Sequence, residues 1–333
     1  MRTLSIDSIL IAFALACAAG CGDSDANTTD SAGSTTTTSG ASATDASAGT
    51  TDASAGTTDA SASTGDPTTG SPVALEVQTY AAGPTGPMVN SHLVMGETEA
   101  ILVDGQMFKA DAEAVVAMVS ASGRTLTTVL LTHAHVDHFA SVKVITDAFP
   151  AAKLVSTQGV RDDFDISAQP SFDYLKMQLG DMIADGLVAP TPLDGASLTL
   201  DGLELPIVEM KHAGESKHAV ALVLPEDKAI LAGDLLYNNI HLVLAECAAQ
   251  GWLDNLAEVK AMGFEKVYPG HGAAAGVEVF DADAQYIKDI DPILAAAATP
   301  DEAKAQIKAK YPTYQNDFVL GVSVDNYFKL CKG

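Results

Sequence analysis

The sequence predicts an α/β fold of the α+β kind: a four-layer αββα sandwich of two mixed sheets flanked by helices. Three observations predict it. Apolar runs of strand length recur from residue 74 onward. Helix-like amphipathic stretches follow them in each of two halves. Asp201-Gly202 separates two strand-like runs and signals a tight hairpin. A sheet or helix with one apolar face must bury that face against another layer, and two such halves stack sheet to sheet with their helices outside.

In the first half, residues 74–80, 92–95 and 100–103 read as strands. Residues 110–120 read as a helix with Val115, Val116 and Val119 on one side. Residues 127–131 form a buried strand, and a helix over 138–149 follows, stopped by Pro150. Another strand covers 153–156, and 161–185 is helical and irregular. In the second half, strands are expected over 197–200, 203–210, 219–224 and 229–231, in antiparallel style. A helix over 252–262, a strand over 266–268 and a helix over 282–290 complete the pattern.

The N-terminal part is of a different kind. Over residues 1–21, Arg2 precedes an apolar run from Ile9 to Ala16 that is too short to span a bilayer and ends in small residues around Cys17 and Cys21. This resembles a bacterial lipoprotein signal. Cys21, after Ala19 and Gly20, is the expected lipid anchor, with Cys17 as the other candidate. The protein is therefore expected to be exported, as a membrane-anchored lipoprotein of the cell envelope or else as a secreted or periplasmic protein. Residues 22–72 are dominated by Thr, Ser, Ala, Gly and Asp, lack aromatic residues, Lys and Arg, and repeat Thr-Asp-Ala-Ser-Ala-Gly-Thr from Thr44 and Thr51. Such a segment has nothing to bury against its ordering entropy and reads as a disordered linker. Residues 73–333 remain for one catalytic domain. The net charge of −25, with no basic stripe, argues against a nucleic-acid partner. Cys247 and Cys331 lack zinc spacing; in an exported chain they form one disulfide, or else stay two buried thiols.

The chemistry concentrates in Thr132-His133-Ala134-His135-Val136-Asp137-His138, directly after a buried strand. His133 and His135, two apart, share a face in extended backbone. Asp137 and His138 sit on the turn into the next helix and can serve a second point nearby. Imidazole and carboxylate donors suit zinc, with iron or manganese as alternatives.

This run resembles the His-x-His-x-Asp-His motif of the metallo-β-lactamase superfamily, and the resemblance extends over essentially all of residues 73–333. It implies two zinc ions (iron or manganese being the alternatives) and a further set of ligands in a set order. His212 in Met210-Lys211-His212-Ala213-Gly214 fits the third histidine, Asp234 in Leu231-Ala232-Gly233-Asp234 the bridging aspartate, and His271 in Tyr268-Pro269-Gly270-His271-Gly272 the last histidine. By resemblance His133, His135 and His212 hold one ion, Asp137, His138 and His271 the other, and Asp234 bridges them. Asp104 matches an early aspartate that supports the site from behind. Many members carry His-Thr-Pro-Gly-His around the third histidine. Here the stretch is His212-Ala213-Gly214-Glu215-Ser216-Lys217-His218, which leaves His218 as an alternative ligand.

The implied function is that of a metal-dependent hydrolase, in which a metal-bridging hydroxide attacks an ester, thioester or lactone carbonyl of a small molecule. Asp137 would orient that hydroxide. Tyr237 would donate to the developing oxyanion, as a tyrosine does in quorum-signal lactonases, or simply pack in the core. By the same resemblance, the carboxylate at 234 points to the glyoxalase II, lactonase and phosphodiesterase side, because several β-lactamase classes carry Cys or Ser there. A single-iron, persulfide dioxygenase-like oxidoreductase and a β-lactamase are the alternatives. Residues 161–185, with Phe164, Phe172, Tyr174 and Met177, fall where the family places substrate loops, or else pack as ordinary helix. His92 and His241 either reach the pocket or are structural.

Overall fold

A computed structural model describes residues 75–332. The expected targeting segment, 1–21, and linker, 22–72, lie outside the described residues. The described chain is an αββα sandwich. Its first sheet has six strands in the order β1 (Glu76–Ala81), β2 (Asn90–Met95), β3 (Glu99–Val103), β4 (Thr125–Leu130), β5 (Lys153–Ser156) and β6 (Thr191–Pro192). The second has five, in the order β11 (Lys266–His271), β10 (Ala229–Tyr237), β9 (Val220–Leu224), β8 (Leu203–Glu209) and β7 (Ser197–Leu200). Both sheets are mixed. β1 to β3 pair antiparallel and β3 to β6 parallel, while β10 is parallel to β11 and antiparallel to β9.

Alternation along the strands explains the layers. In β9, Val220, Leu222 and Leu224 pack in one core with Leu102, Val129 and Leu130 of the first sheet. Ala221 and Val223, pointing the other way, join a second core with Trp252, Leu256 and Ile287. A strand apolar on both faces must be covered on both faces, and each fully buried Leu or Val contributes roughly 1.5–3 kcal/mol. The cover on the first sheet includes α1 (Lys109–Ser122), α2 (Val136–Phe139), α3 (Val142–Ala148) and α4 (Gln158–Leu179), which supply Val115, Phe139, Ile145 and Phe164 to the first core. α5 (Ala249–Lys260), α6 (Glu278–Ala296), α7 (Pro300–Lys310) and α8 (Asp317–Leu330) supply the second.

Several elements differ from expectation. The helix expected over 138–149 is two short ones. The Ser141 amide donates to Gln106 O and its hydroxyl to Met107 O, both at 2.8 Å, so the backbone there is tied to the loop after β3 instead of continuing the helix. Residues 158–179 form a single helix despite Pro170. Phe164 and Phe172 lie in the core, so they pack as ordinary helix, whereas Met177 is exposed. β10 runs six residues past its expected end and carries Asp234 and Tyr237 within it, fully buried. α7 and α8 have no counterpart in the expected pattern.

Candidate metal centre

The Thr132–His138 run leaves β4 at the seam between the two sheets. Val220 N donates to Thr132 O at 2.9 Å, and His133 bridges Ala219, so the start of β9 docks on this strand end. β10 delivers Asp234 from the second sheet, and β11 delivers His271 beside it. That neighbouring strand must come very close. A Cβ on Gly270 would stand 1.9 Å from Asp234 Oδ1, so no other residue fits without moving the carboxylate.

Two groups of donors result. Asp137, His138, Asp234 and His271 form one, and His133, His135 and Glu215 form the other. Asp234 faces both. Its Oδ1 is 3.2 Å from His138 Nε2; its Oδ2 is 3.1 Å from His271 Nε2 and 3.9 Å from His133 Nε2. Asp137 Oδ2 lies 3.6 Å from His138 Nε2 and 3.5 Å from His271 Nε2.

The outer nitrogens are held from behind, which sets which nitrogen faces inward. His138 Nδ1 lies 3.0 Å from Asp104 Oδ2, and His271 Nδ1 donates to Pro87 O at 2.8 Å. His133 Nδ1 is 3.0 Å from Thr132 Oγ1. Asp104 itself is fixed by Thr132, whose amide and hydroxyl both donate to it at 2.8 Å, and takes a left-handed φ of 62° to reach them. Tyr237 also reaches the centre. Its hydroxyl donates to Asp234 Oδ2 at 2.5 Å and its ring stacks on His271, so it holds the shared carboxylate while packing in the core.

The structure does not bring His212 to this centre. Asn255 of α5 clamps its backbone on both sides, accepting from His212 N at 3.1 Å and donating to His212 O at 2.7 Å. Its imidazole is thereby turned outward, 41% exposed, to Glu258 at 3.3 Å. His218, the alternative, is equally exposed and bonds Asp163 at 2.8 Å. The loop between β8 and β9 closes through Met210 N to Ala219 O, and its inward-facing side chain is Glu215, 5% exposed. Glu215 Oε1 is 2.8 Å from His135 Nδ1 and Oε2 is 3.4 Å from His133 Nε2. Sequence reasoning missed this residue. The signal was Gly214-Glu215, a glutamate directly after glycine where the family pattern has Gly-His. Glu246, 3.7 Å from His135 Nε2, had no such signal.

The other histidines are structural. His92 is buried between Thr79 Oγ1 at 2.8 Å and Pro269 O at 2.9 Å. His241 bonds Tyr286 at 2.8 Å and packs near Tyr314. Cys247 and Cys331 form a disulfide, which anchors the segment that carries Glu246 to the end of α8.

Electrostatics show what the cluster lacks. Burial pushes the Glu215 carboxyl up to about 7, against the pull of His135. Burial opposes charge on His138, but Asp234, Asp104 and Asp137 hold its imidazole well above the usual histidine range. Asp234, though buried, is held well below the usual carboxylate range by His271 and His138. Burial, aided by His138, drives His133 the other way, well below the usual range. These buried carboxylates therefore demand positive charge, and protons on imidazole supply it. Even so, His133 Nε2, His138 Nε2, Glu215 Oε2 and Asp234 Oδ1 make no hydrogen bond among the described residues. Orphaned buried donors and acceptors of this kind, aimed at one another, fit divalent cations.

Residues 84–271, more than half of the chain, match the metallo-beta-lactamase superfamily. The chain belongs to this superfamily. Among metallo-beta-lactamase folds, it is similar to a family protein from Thermus thermophilus (TM-score 0.54, 18% identity, covering 77% of this chain and 93% of that one). It is likewise similar to the BLEG-1 B3 metallo-beta-lactamase (TM-score 0.52, 19% identity, covering 64% and 99%). Among curated relatives, an atrochrysone carboxyl ACP thioesterase from Aspergillus fumigatus is 24% identical over 185 residues, 55% of this chain; the match spans only 50% of that protein's length. A probable metallo-hydrolase from Streptococcus pyogenes is 23% identical over 210 residues, 56% of this chain and 81% of that one. The superfamily comprises metal-dependent hydrolases, and the two donor groups described above could each hold a metal ion.

Proposed function

We propose that the protein is a dinuclear metal-dependent hydrolase of a small-molecule ester, thioester or lactone. The observation that carries this reading is the position of Asp234 between the two donor groups, 3.2 Å from His138 and 3.1 Å from His271 of one and 3.9 Å from His133 of the other. Asp137, His138 and His271 would hold one ion and His133 and His135 the other, zinc in the first instance, with iron or manganese as alternatives. When bound, such ions polarise a carbonyl oxygen and lower the pKa of water to near neutrality.

The chain's own residues prepare this chemistry. Asp104 lies 3.0 Å from His138 Nδ1 and the Pro87 carbonyl accepts from His271 Nδ1, so that when a bound ion displaces the second proton each imidazole would keep the one on Nδ1 and present Nε2 inward. Asp137 directs Oδ2 into the same space and is the group that would orient and deprotonate water. Tyr237 fixes Asp234; to donate to a substrate oxyanion as well, its hydroxyl must leave that bond. The thioesterase relative supports a thioester among the candidate substrates. The Cys247–Cys331 disulfide supports export to an oxidising compartment, as a lipoprotein anchored through Cys21 or Cys17 or as a secreted protein.

One observation favours a second reading. Two histidines and a glutamate grouped on one side are the donor set of a mononuclear iron oxidoreductase. Metal counting together with an assay panel of lactones, thioesters, phosphodiesters and cephalosporins separates the two. The hydrolase reading expects two ions per chain and metal-dependent hydrolysis that Asp234→Ala abolishes, along with bound metal. One iron per chain and no hydrolysis would establish the oxidoreductase instead.

A further inference from the structure

Glu215 differs from the other acidic residues of the centre in how it is used. Asp137 and Asp234 belong to the group containing His138 and His271, whereas Glu215 is the acidic member of the group formed with His133 and His135. Its two oxygens address these two imidazoles separately, Oε1 at 2.8 Å from His135 Nδ1 and Oε2 at 3.4 Å from His133 Nε2. If its role were only to hold His135, Oε1 would suffice, and Oε2 would face water or a donor. Instead Oε2 is buried with no hydrogen bond among the described residues, opposite His133 Nε2, which likewise makes none there. An acceptor left so costs about 1–3 kcal/mol, more when charged, unless something positive meets it.

The loop geometry removes the two histidines of the segment between β8 and β9 as competing donors. His212 is held outward by Asn255, and His218 is paired with Asp163. The side chain that the loop between β8 and β9 turns to His133 and His135 is a carboxylate.

We propose that Glu215 is the third ligand at the His133–His135 position, and that it shifts this position's preference from zinc toward a harder divalent ion, manganese(II) or iron(II), relative to a three-imidazole site. This rests on the dinuclear reading above and specifies one of its two positions. The physical reason is ligand hardness and charge. A carboxylate oxygen is a harder donor than imidazole nitrogen, and oxygen-rich sets suit manganese where imidazole sets suit zinc. Asp137, Asp234 and Glu215 together bring three negative charges to the centre, where a histidine at 215 would leave two. The extra charge holds a weakly polarising ion better and leaves a strongly polarising one less acidic.

The test uses the full chain, stripped of metal and dialysed to equilibrium against equal free zinc(II) and manganese(II), with each ion counted per chain. Zinc exceeds manganese in raw affinity at most sites, so the readout is the change on substitution. Glu215→His is expected to raise the zinc-to-manganese ratio at one of the two positions on the order of tenfold and leave the other as it was. Glu215→Gln is expected to lose one ion per chain. His212→Ala is expected to keep both ions and the wild-type ratio. Two bound ions with an unchanged ratio in Glu215→His, two ions retained in Glu215→Gln, or an ion lost in His212→Ala each overturns the inference while leaving the dinuclear reading intact. A wild-type chain that takes up no ion defeats that reading first, and this inference with it. Should the position 215 variants fail to fold by circular dichroism, cobalt(II)-loaded wild type decides. Four paramagnetically shifted imidazole N–H signals, from His133, His135, His138 and His271, support the proposal, and a fifth, from His212 or His218, refutes it.

Discussion

The disulfide between Cys247 and Cys331 offers the most quantitative test of the structure. It closes a loop of 84 residues running from the segment after β10, through α5 to α8, to the C-terminal end of the described chain. In the chain-entropy description, a cross-link of this span removes about 4.5 kcal/mol of freedom from the unfolded state. The native state offsets little of that when the link is lost. Cys331 follows α8, whose Phe318 to Val324 are buried, so the helix stays docked without it. Ser323 Oγ also accepts from Leu244 N at 2.9 Å and ties the same two segments. The double variant Cys247→Ser/Cys331→Ser should therefore fold to the same structure and lose about 3–4.5 kcal/mol, the lower value allowing for residual structure in the unfolded chain. For a domain of this size that is a fall in Tm of about 6–10 °C. Urea denaturation of metal-free protein, with and without a reductant, measures it. Reduced wild type should match the oxidant-insensitive variant. A loss below about 1 kcal/mol, or a variant less stable than reduced wild type, would show that the link does not act by restricting the unfolded chain.

Two further outcomes follow from the buried polar groups. Tyr237→Phe removes the hydroxyl that donates to Asp234 Oδ2 but keeps the ring on His271; because His271 Nε2 still meets that oxygen at 3.1 Å, metal-free stability should fall by only about 1.5–2 kcal/mol, and metal affinity by about tenfold, and unchanged values by denaturation and titration would remove Tyr237 from the site. Burial lowers His92 from 6.5 to about 4, so the unfolded chain takes up that proton first and stability is lost as pH falls from 6.5 to 4, by about 3 kcal/mol from this residue; the acid-side loss in His92→Gln should be smaller by that amount, and parallel pH curves for the two proteins would contradict it.

How far the site can be read without the fold differs from residue to residue. His133, His135, Asp137 and His138 lie in one run after one apolar strand, so their convergence needs only local backbone geometry. Asp234 and His271 stand at the ends of apolar runs, where a strand hands its next residues to a sheet edge. The loop between β8 and β9 gives no such cue. Which of His212, Glu215 and His218 faces inward depends on Val220 pairing with Thr132 and on Asn255, which is 43 residues from His212, gripping both its backbone groups. The helices show the same division. α1 has a one-sided apolar stripe that marks it in the sequence; α8, buried on nearly every side from Phe318 to Val324, has no stripe to find. α7 carries a legible start in Thr299-Pro300-Asp301-Glu302, with Thr299 accepting from Glu302 N, yet its polar body hides the helix from an apolar-periodicity search.

The amino-acid order alone determined that apolar strands on both sides of the chain need two sheets and outer helices, and that one short run carries four potential ligands. Those properties are local: periodicity, strand-end position and donor type belong to a segment wherever it is placed. Tertiary structure decided that Glu215, and not His212 or His218, faces His133 and His135, that Tyr237 fixes Asp234, and that Cys247 meets Cys331. Each of these depends on segments far apart in sequence, and only packing of the two sheets sets those distances.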